Sequence, residues 1–167
     1  MYYMIIKDTM VLIHLAKITL LEKSCEYFVE VIIPNIIYEE IMRGKQKGFE
    51  DANIIEDLIA KNKIMLKKIN DRKLLEKAKQ YNIQRGEAEA LALYWQEKAD
   101  LLATDDDNVR KKATILNLKI IGTPSIITKL YKTNNITKEK YLNSVNELRK
   151  IGWFSNQMID KMKDEAA

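Results

Sequence analysis

The chain has 167 residues, 47% hydrophobic and 31% charged, the size and balance of one soluble globular domain that buries roughly 70% of its unfolded surface. A lone cysteine, Cys25, excludes an internal disulfide framework and a cysteine-rich zinc site and fits a reducing cytoplasm. No signal peptide is expected from the first residues, and the apolar run from Met10 to Leu21, broken by His14 and Lys17, is too short and polar to span a bilayer.

The net charge of +4 tolerates an anionic partner without demanding one. Five glycines and two prolines predict a regular, helix-rich fold with few long loops. Residues Tyr2–Lys7 read as a short buried strand that runs straight into Asp8. A helix follows, with Val11, Leu12, Leu15 and Ile18 at helical spacing and continuing toward Lys23. The β-branched and aromatic stretch Tyr27–Ile33 predicts a second strand, stopped by Pro34, which opens a helix that Gly44 ends. Further helices are expected over Phe49–Asn62, Asp71–Tyr81 and Gly86–Lys98, with a short apolar run at Ile64–Leu66. Asp100–Ala103 predicts a strand feeding the acidic run Asp105–Asp107. A helix over Asn108–Asn117, a strand over Leu118–Ile121 and helices beyond Pro124 complete the chain, with a turn at Thr133–Thr137. This alternation predicts one α/β domain over residues 1–167, with a parallel sheet and helices on both faces.

Four acids stand out by position. Asp8 is the first polar residue after the first strand, and Asp106 lies just beyond the strand ending at Ala103. Both places fall at the carboxyl edge of a parallel sheet, where such folds bind ligands. Glu40 lies about two turns into the helix after the second strand, and Glu87 opens the helix before Asp100–Ala103. Like charges gathered this way need a compensating cation, and oxygen-only ligands suit Mg²⁺ or Mn²⁺. Each acid also has a plainer role: Asp8 and Asp105–Asp107 as helix caps, Glu87 or Glu89 as a helix-dipole partner. Glu87 shares a stripe with Ala90, Leu91 and Tyr94 that should face the sheet, which leaves Glu89 turned away. Of the adjacent pair Glu39 and Glu40, at least one should face solvent.

The segments IIKDTMVLIHLAKI, IPNIIYEEIMRG, GEAEALALYWQEKADLLATDD, LKIIGT and ELRKIGWFSNQMID together resemble PIN-domain ribonucleases, particularly a small prokaryotic group akin to VapC toxins. The resemblance runs from about Tyr2 to Met162. It implies a three-layer α/β/α fold in which Asp8, Glu40, Glu87 and Asp106 are the catalytic acids and hold Mg²⁺ or Mn²⁺, with Asp105 as a further metal-binding acid. Thr9 and Thr104 match hydroxyl positions that support the acids. It also implies cleavage of single-stranded or structured RNA, a cognate antitoxin and a homodimer. Met10 and Val11 depart from the usual small polar residue and proline, and Glu87 replaces the commoner aspartate.

Arg43, Lys45 and Lys47 follow the Glu40 helix, and Arg110–Lys112 follow Asp106; of these, Arg43, Lys45 and Arg110 are the candidates for RNA phosphates, against the plainer role of a solvated face. His14, the only histidine, reads as a packed core residue, and Cys25 as a small buried hydrophobe. Trp153 and Phe154 read as anchors for the last helix or a dimer contact rather than as a platform for stacked bases. Two other readings of the acids remain: a PIN-like scaffold that binds protein or RNA without cutting, and a phosphoryl-transfer α/β protein. The second finds Met10 where a dehalogenase-like enzyme needs an acid.

Overall fold

A computed structural model describes residues 3–167 of the chain. Among the described residues a five-stranded sheet forms from β1 (Met4–Lys7), β2 (Glu30–Pro34), β3 (Met65–Lys67), β4 (Leu101–Ala103) and β5 (Ile120–Ile121). The strand order is β3-β2-β1-β4-β5 and every pairing is parallel. Ile5, Ile6 and Lys7 of the central strand are wholly buried, as a parallel sheet covered on both faces requires. Ten helices accompany the sheet: α1 (Thr9–Lys17), α2 (Leu21–Tyr27), α3 (Asn35–Gln46), α4 (Asp51–Ala60), α5 (Arg72–Gln80), α6 (Arg85–Glu97), α7 (Asp107–Lys112), α8 (Thr123–Lys132), α9 (Lys138–Ile151) and α10 (Asn156–Asp164). The expected α/β class with a parallel sheet between helices is what the chain adopts.

The elements differ from expectation in several places, one being the last strand, which is confined to Ile120–Ile121 instead of beginning at Leu118. The long N-terminal helix is two helices, because Thr19 takes a left-handed conformation (φ 60°) and Leu20 restarts the chain as the cap of α2. The second strand begins at Glu30 because Tyr27 still belongs to α2, where its ring meets Phe28 edge-on. Gly44 lies inside α3, which runs two residues further. The helix after Asp106 stops at Lys112, short of Asn117. The expected first strand began at Tyr2, which lies outside the described residues; from Met4 onward it is present.

The order of the strands decides where ligands bind. From β1 the chain builds outward through β2 and β3, then returns to the other side of β1 for β4 and β5. The crevice beyond the carboxyl ends of β1 and β4 is therefore the topological switch point, the ligand position of open parallel sheets. The backbone N–H of Asp8 donates to the Ala103 carbonyl at 3.0 Å, so the two strand ends stay paired up to that crevice.

One buried charge lies beneath it. Lys7 is wholly buried, with its ammonium on the Ser24 hydroxyl and 5.6 Å from the centroid of the Phe28 ring. Burial holds its pKa below the ordinary lysine value.

Candidate active site

Asp8 and Asp106 occupy equivalent places at the ends of β1 and β4. Each caps the helix that follows: Asp8 Oδ1 accepts from the Val11 N–H at 3.0 Å, and Asp106 Oδ1 accepts from the Val109 N–H at 2.9 Å. Capping and a role in a site are thus combined. The cap fixes one oxygen of each carboxylate and with it the side-chain orientation. Thr104, buried between them, accepts the Asp106 N–H on its hydroxyl at 3.1 Å and hydrogen-bonds Asp8 through its side chain.

Glu40 reaches the same basin from α3. Its Oε2 accepts the Thr9 hydroxyl at 2.9 Å, and its carboxylate lies against Gly86 in the first turn of α6. A Cβ at position 86 would stand 3.0 Å and 3.2 Å from the two Glu40 oxygens. The missing side chain of Gly86 therefore gives the carboxylate its seat, close to the positive end of a 13-residue helix. Glu87, the next residue, is half-buried and feels the charges of both Asp106 and Glu40.

The electrostatics report this crowding. The Asp8 carboxyl is pushed up to about 7, first by burial, with the charges of Asp105 and Glu87 adding and the bonds from Thr104 and Val11 opposing. Glu87 is raised as well, first by burial and then by Asp106 and Glu40, against a bond to its own backbone N–H. The structure thus brings Asp8, Glu40, Glu87 and Asp106 to one basin from four separate elements. Glu89 is turned elsewhere: its charged neighbours are Lys79, Arg72 and Glu39. The neighbouring pairs Glu39–Glu40, one residue apart, and Glu87–Glu89, two residues apart, therefore sort to two sides, as their helical spacing implies.

All the donors in the basin are carboxylate and hydroxyl oxygens, the set that suits a hard divalent cation. Each carboxylate rests on protein donors, and among the described residues no three His, Cys, Asp or Glu side chains stand close enough together to grasp one ion. The donor chemistry fits a divalent metal.

Asp105 has a different surrounding from the other acids. Its Oδ1 accepts the Thr123 N–H at 2.8 Å, and its Oδ2 contacts the Thr123 hydroxyl and His14 Nδ1, the latter at 2.8 Å. Both oxygens are engaged inside the protein and the residue is 4% exposed. Where the sequence reading gave it to a metal, the structure gives it to holding the turn that carries Asp106. His14 is the partner that sequence reasoning missed. It does lie in the core, as expected, but as one end of a polar contact. The pattern held no local signal for the pair, and only the fold brings it together.

Of the basic candidates, Arg43 is exposed, Lys45 is drawn to Glu56 in an ion pair, and Arg110 lines a cavity of about 480 Å³ beside the Asp105–Asp107 turn. On the other flank, Thr9 and Glu40 line a mostly apolar recess of about 250 Å³ with Ile13, Ile41 and Phe49. No helix among the described residues is long and apolar enough to cross a membrane.

Comparison with curated proteins and with solved structures gave no match. Residues 4–166 match the family described as a PIN domain, whose members are in general nucleases and typically use divalent metals. The acids at the switch point of a five-stranded parallel sheet agree with that match, which spans all but four residues of the sequence, and the chain belongs to the PIN-domain family.

Proposed function

We propose that the protein is a Mg²⁺- or Mn²⁺-dependent endoribonuclease that hydrolyses RNA phosphodiester bonds. The observation that carries this reading is the convergence of Asp8, Glu40, Glu87 and Asp106, with Asp8 buried and its carboxyl pushed up to about 7. Carboxylates gathered in one basin are stabilised by positive charge, whether as bound protons or as a divalent cation. A bound ion supplies a water of lowered pKa and offsets charge on the scissile phosphate. Asp8, Glu40, Glu87 and Asp106 are the residues that would hold such an ion. Thr104 and Thr9 set the orientation of Asp8 and Glu40, and Asp105 keeps the turn beneath Asp106 rigid through Thr123 and His14. Arg110, beside the Asp105–Asp107 turn, and the exposed Arg43 are the residues that would meet flanking phosphates, and Lys45 joins them only by leaving Glu56. The likeness of the sequence to the VapC-like group supports a toxin role in the cytoplasm, with a cognate antitoxin and a homodimeric assembly.

The test is cleavage of labelled RNA by the purified protein with Mn²⁺, Mg²⁺ or EDTA, beside Asp8→Asn. Metal-dependent cleavage lost in the variant is the expected result; equal cleavage by the folded variant refutes the assignment. A second reading is a PIN scaffold that does not cut. Calorimetric titration with Mn²⁺ separates the two, since the nuclease must take up metal and a scaffold need not.

A further inference from the structure

A polar recess beside the Asp105–Asp107 turn is lined by Arg110, Ser125, Trp153 and Phe154 together with Asp105 and Asp107. Its volume of about 480 Å³ is in the range of small-molecule sites. Trp153 is 51% exposed, an unusual position for so large an apolar ring. The ring is also held in place. Its indole N–H donates to the Asp105 carbonyl at 3.2 Å, and its centroid lies 5.7 Å from that of His14. Phe154 meets the same imidazole edge-on at 5.2 Å, so the hinge of the platform is packed while much of its surface is open. The tie to Asp105 sets Trp153 one peptide link away from Asp106.

Arg110 supplies the second half of the recess. It makes no ion pair among the described residues, and its Nη1 lies 2.8 Å from the place a Cβ would take on Gly122. The bare backbone of Gly122 is what lets the guanidinium lie there. Asp105 shares this wall with its carboxylate already engaged, and Asp107 is exposed in the first turn of α7, where the helix dipole favours its charge. The Ser125 hydroxyl, exposed and without a protein partner among the described residues, completes the polar side.

We propose that this recess is a nucleotide subsite, in which an unpaired base stacks on Trp153 while the adjoining phosphate meets Arg110. The proposal rests on the ribonuclease reading for its substrate and narrows it. A base can lie on the indole only when it has left its own stack, so the subsite takes an unpaired nucleotide, in keeping with the single-stranded or structured RNA that the family resemblance implies. A fixed aromatic face beside an unpaired guanidinium is the recurring design of single-strand binding, and stacking tolerates any base because each has a π face.

The test uses the full chain carrying Asp8→Asn, so that RNA stays intact, and a short single-stranded oligoribonucleotide as the probe. The expected result is saturable quenching of tryptophan fluorescence, little affinity for the same sequence as duplex, and binding weakened about tenfold or more by Trp153→Leu. Arg110→Gln should weaken binding and lower the salt dependence by about one counterion. Folding of each variant is checked by thermal melting. Should Trp153→Leu not fold, the quench in the parent decides by itself, because the other tryptophan, Trp95, lies on α6 under the Lys77 ammonium at 4.3 Å, whereas Trp153 lies in the connection between α9 and α10. Unchanged affinity in folded variants, or no quench in the parent, overturns the proposal; the second result is also what a platform reserved for a protein partner gives. The nuclease reading fails separately: quenching without metal-dependent cleavage by the wild type keeps the subsite, whereas cleavage with an unaltered KM in Trp153→Leu removes the subsite alone.

Discussion

The imidazole of His14 and the carboxylate of Asp105 meet at 2.8 Å, although 91 positions separate them in the chain, and both are almost completely buried. The contact joins α1 to the turn after β4 and so holds together the two segments that present Asp8 and Asp106. Asp105 also satisfies the Thr123 N–H and hydroxyl. Removing its carboxylate with Asp105→Ala leaves three donor groups without their acceptor, each costing about 1–3 kcal/mol when buried. Asp106→Ala removes a helix cap, about 1 kcal/mol, and relieves repulsion on Glu87. The expectation is a loss of several kcal/mol for the first variant and a near-normal fold without cleavage for the second. Urea unfolding of both, beside an RNA cleavage assay, makes the comparison. Equal stabilities for the two variants show that Asp105 holds nothing together.

Asp8 makes the metal-free protein sensitive to pH. Its carboxyl is pushed up from 3.8 to about 7. The folded chain therefore keeps a proton that the unfolded chain releases, and stability is full below about pH 4 and declines as the pH rises from about 4 to about 7. The linkage corresponds to about 4 kcal/mol at most. Glu87, raised in the same direction, adds to the decline. Asparagine caps helices as well as aspartate does but does not titrate. In EDTA, Asp8→Asn should then match the wild type at pH 4 and melt several degrees higher at pH 8. Mn²⁺ should raise the melting temperature of the wild type and leave the variant where it was. A variant no more stable than the wild type at pH 8 shows that the buried carboxyl carries no such strain.

How much of this was legible in the sequence depends on the range of the interaction. Asp8 and Asp106 were legible because each follows a short apolar strand, and the edge of a parallel sheet is written in that local pattern. The choice of Glu87 over Glu89 was legible from helical spacing alone. The break between α1 and α2 was not, because the apolar periodicity continues across Thr19 and neither glycine nor proline marks the left-handed residue. Asp105 misled for the opposite reason. It carries the right charge beside the right neighbour, but its surroundings come from His14 and Thr123, which are remote in sequence. Gly86 shows its purpose only when Glu40, from another helix, is seen against it.

That contact yields a prediction of its own. Gly86→Ala should favour α6, since alanine gains about 1 kcal/mol over glycine in a helix interior and less near its end. The new methyl, however, would stand 3.0 Å from a Glu40 oxygen and displace a carboxylate that Thr9 now orients. The variant is expected to fold with a melting temperature close to that of the wild type while binding Mn²⁺ several-fold more weakly. Isothermal titration with Mn²⁺, paired with a thermal melt, separates the two effects. Wild-type affinity in a well-folded Gly86→Ala places Glu40 outside the metal set.

Thr104 tests the coupling between the two aspartates. Its buried hydroxyl accepts the Asp106 N–H and bonds Asp8, and the latter bond opposes the upward push on the Asp8 carboxyl. Thr104→Val keeps the shape and removes both contacts. The Asp106 N–H then loses its partner, at about 1–3 kcal/mol, and the Asp8 carboxyl rises further. If Asp8 must be ionised for metal-dependent cleavage, the acid limb of the pH–rate profile should move to higher pH in Thr104→Val. It should return toward its original place in Thr104→Ser, which restores the hydroxyl. A lower rate with an unmoved limb in the valine variant would mean that Thr104 only packs the turn, leaving burial and the neighbouring acids to set the charge state of Asp8.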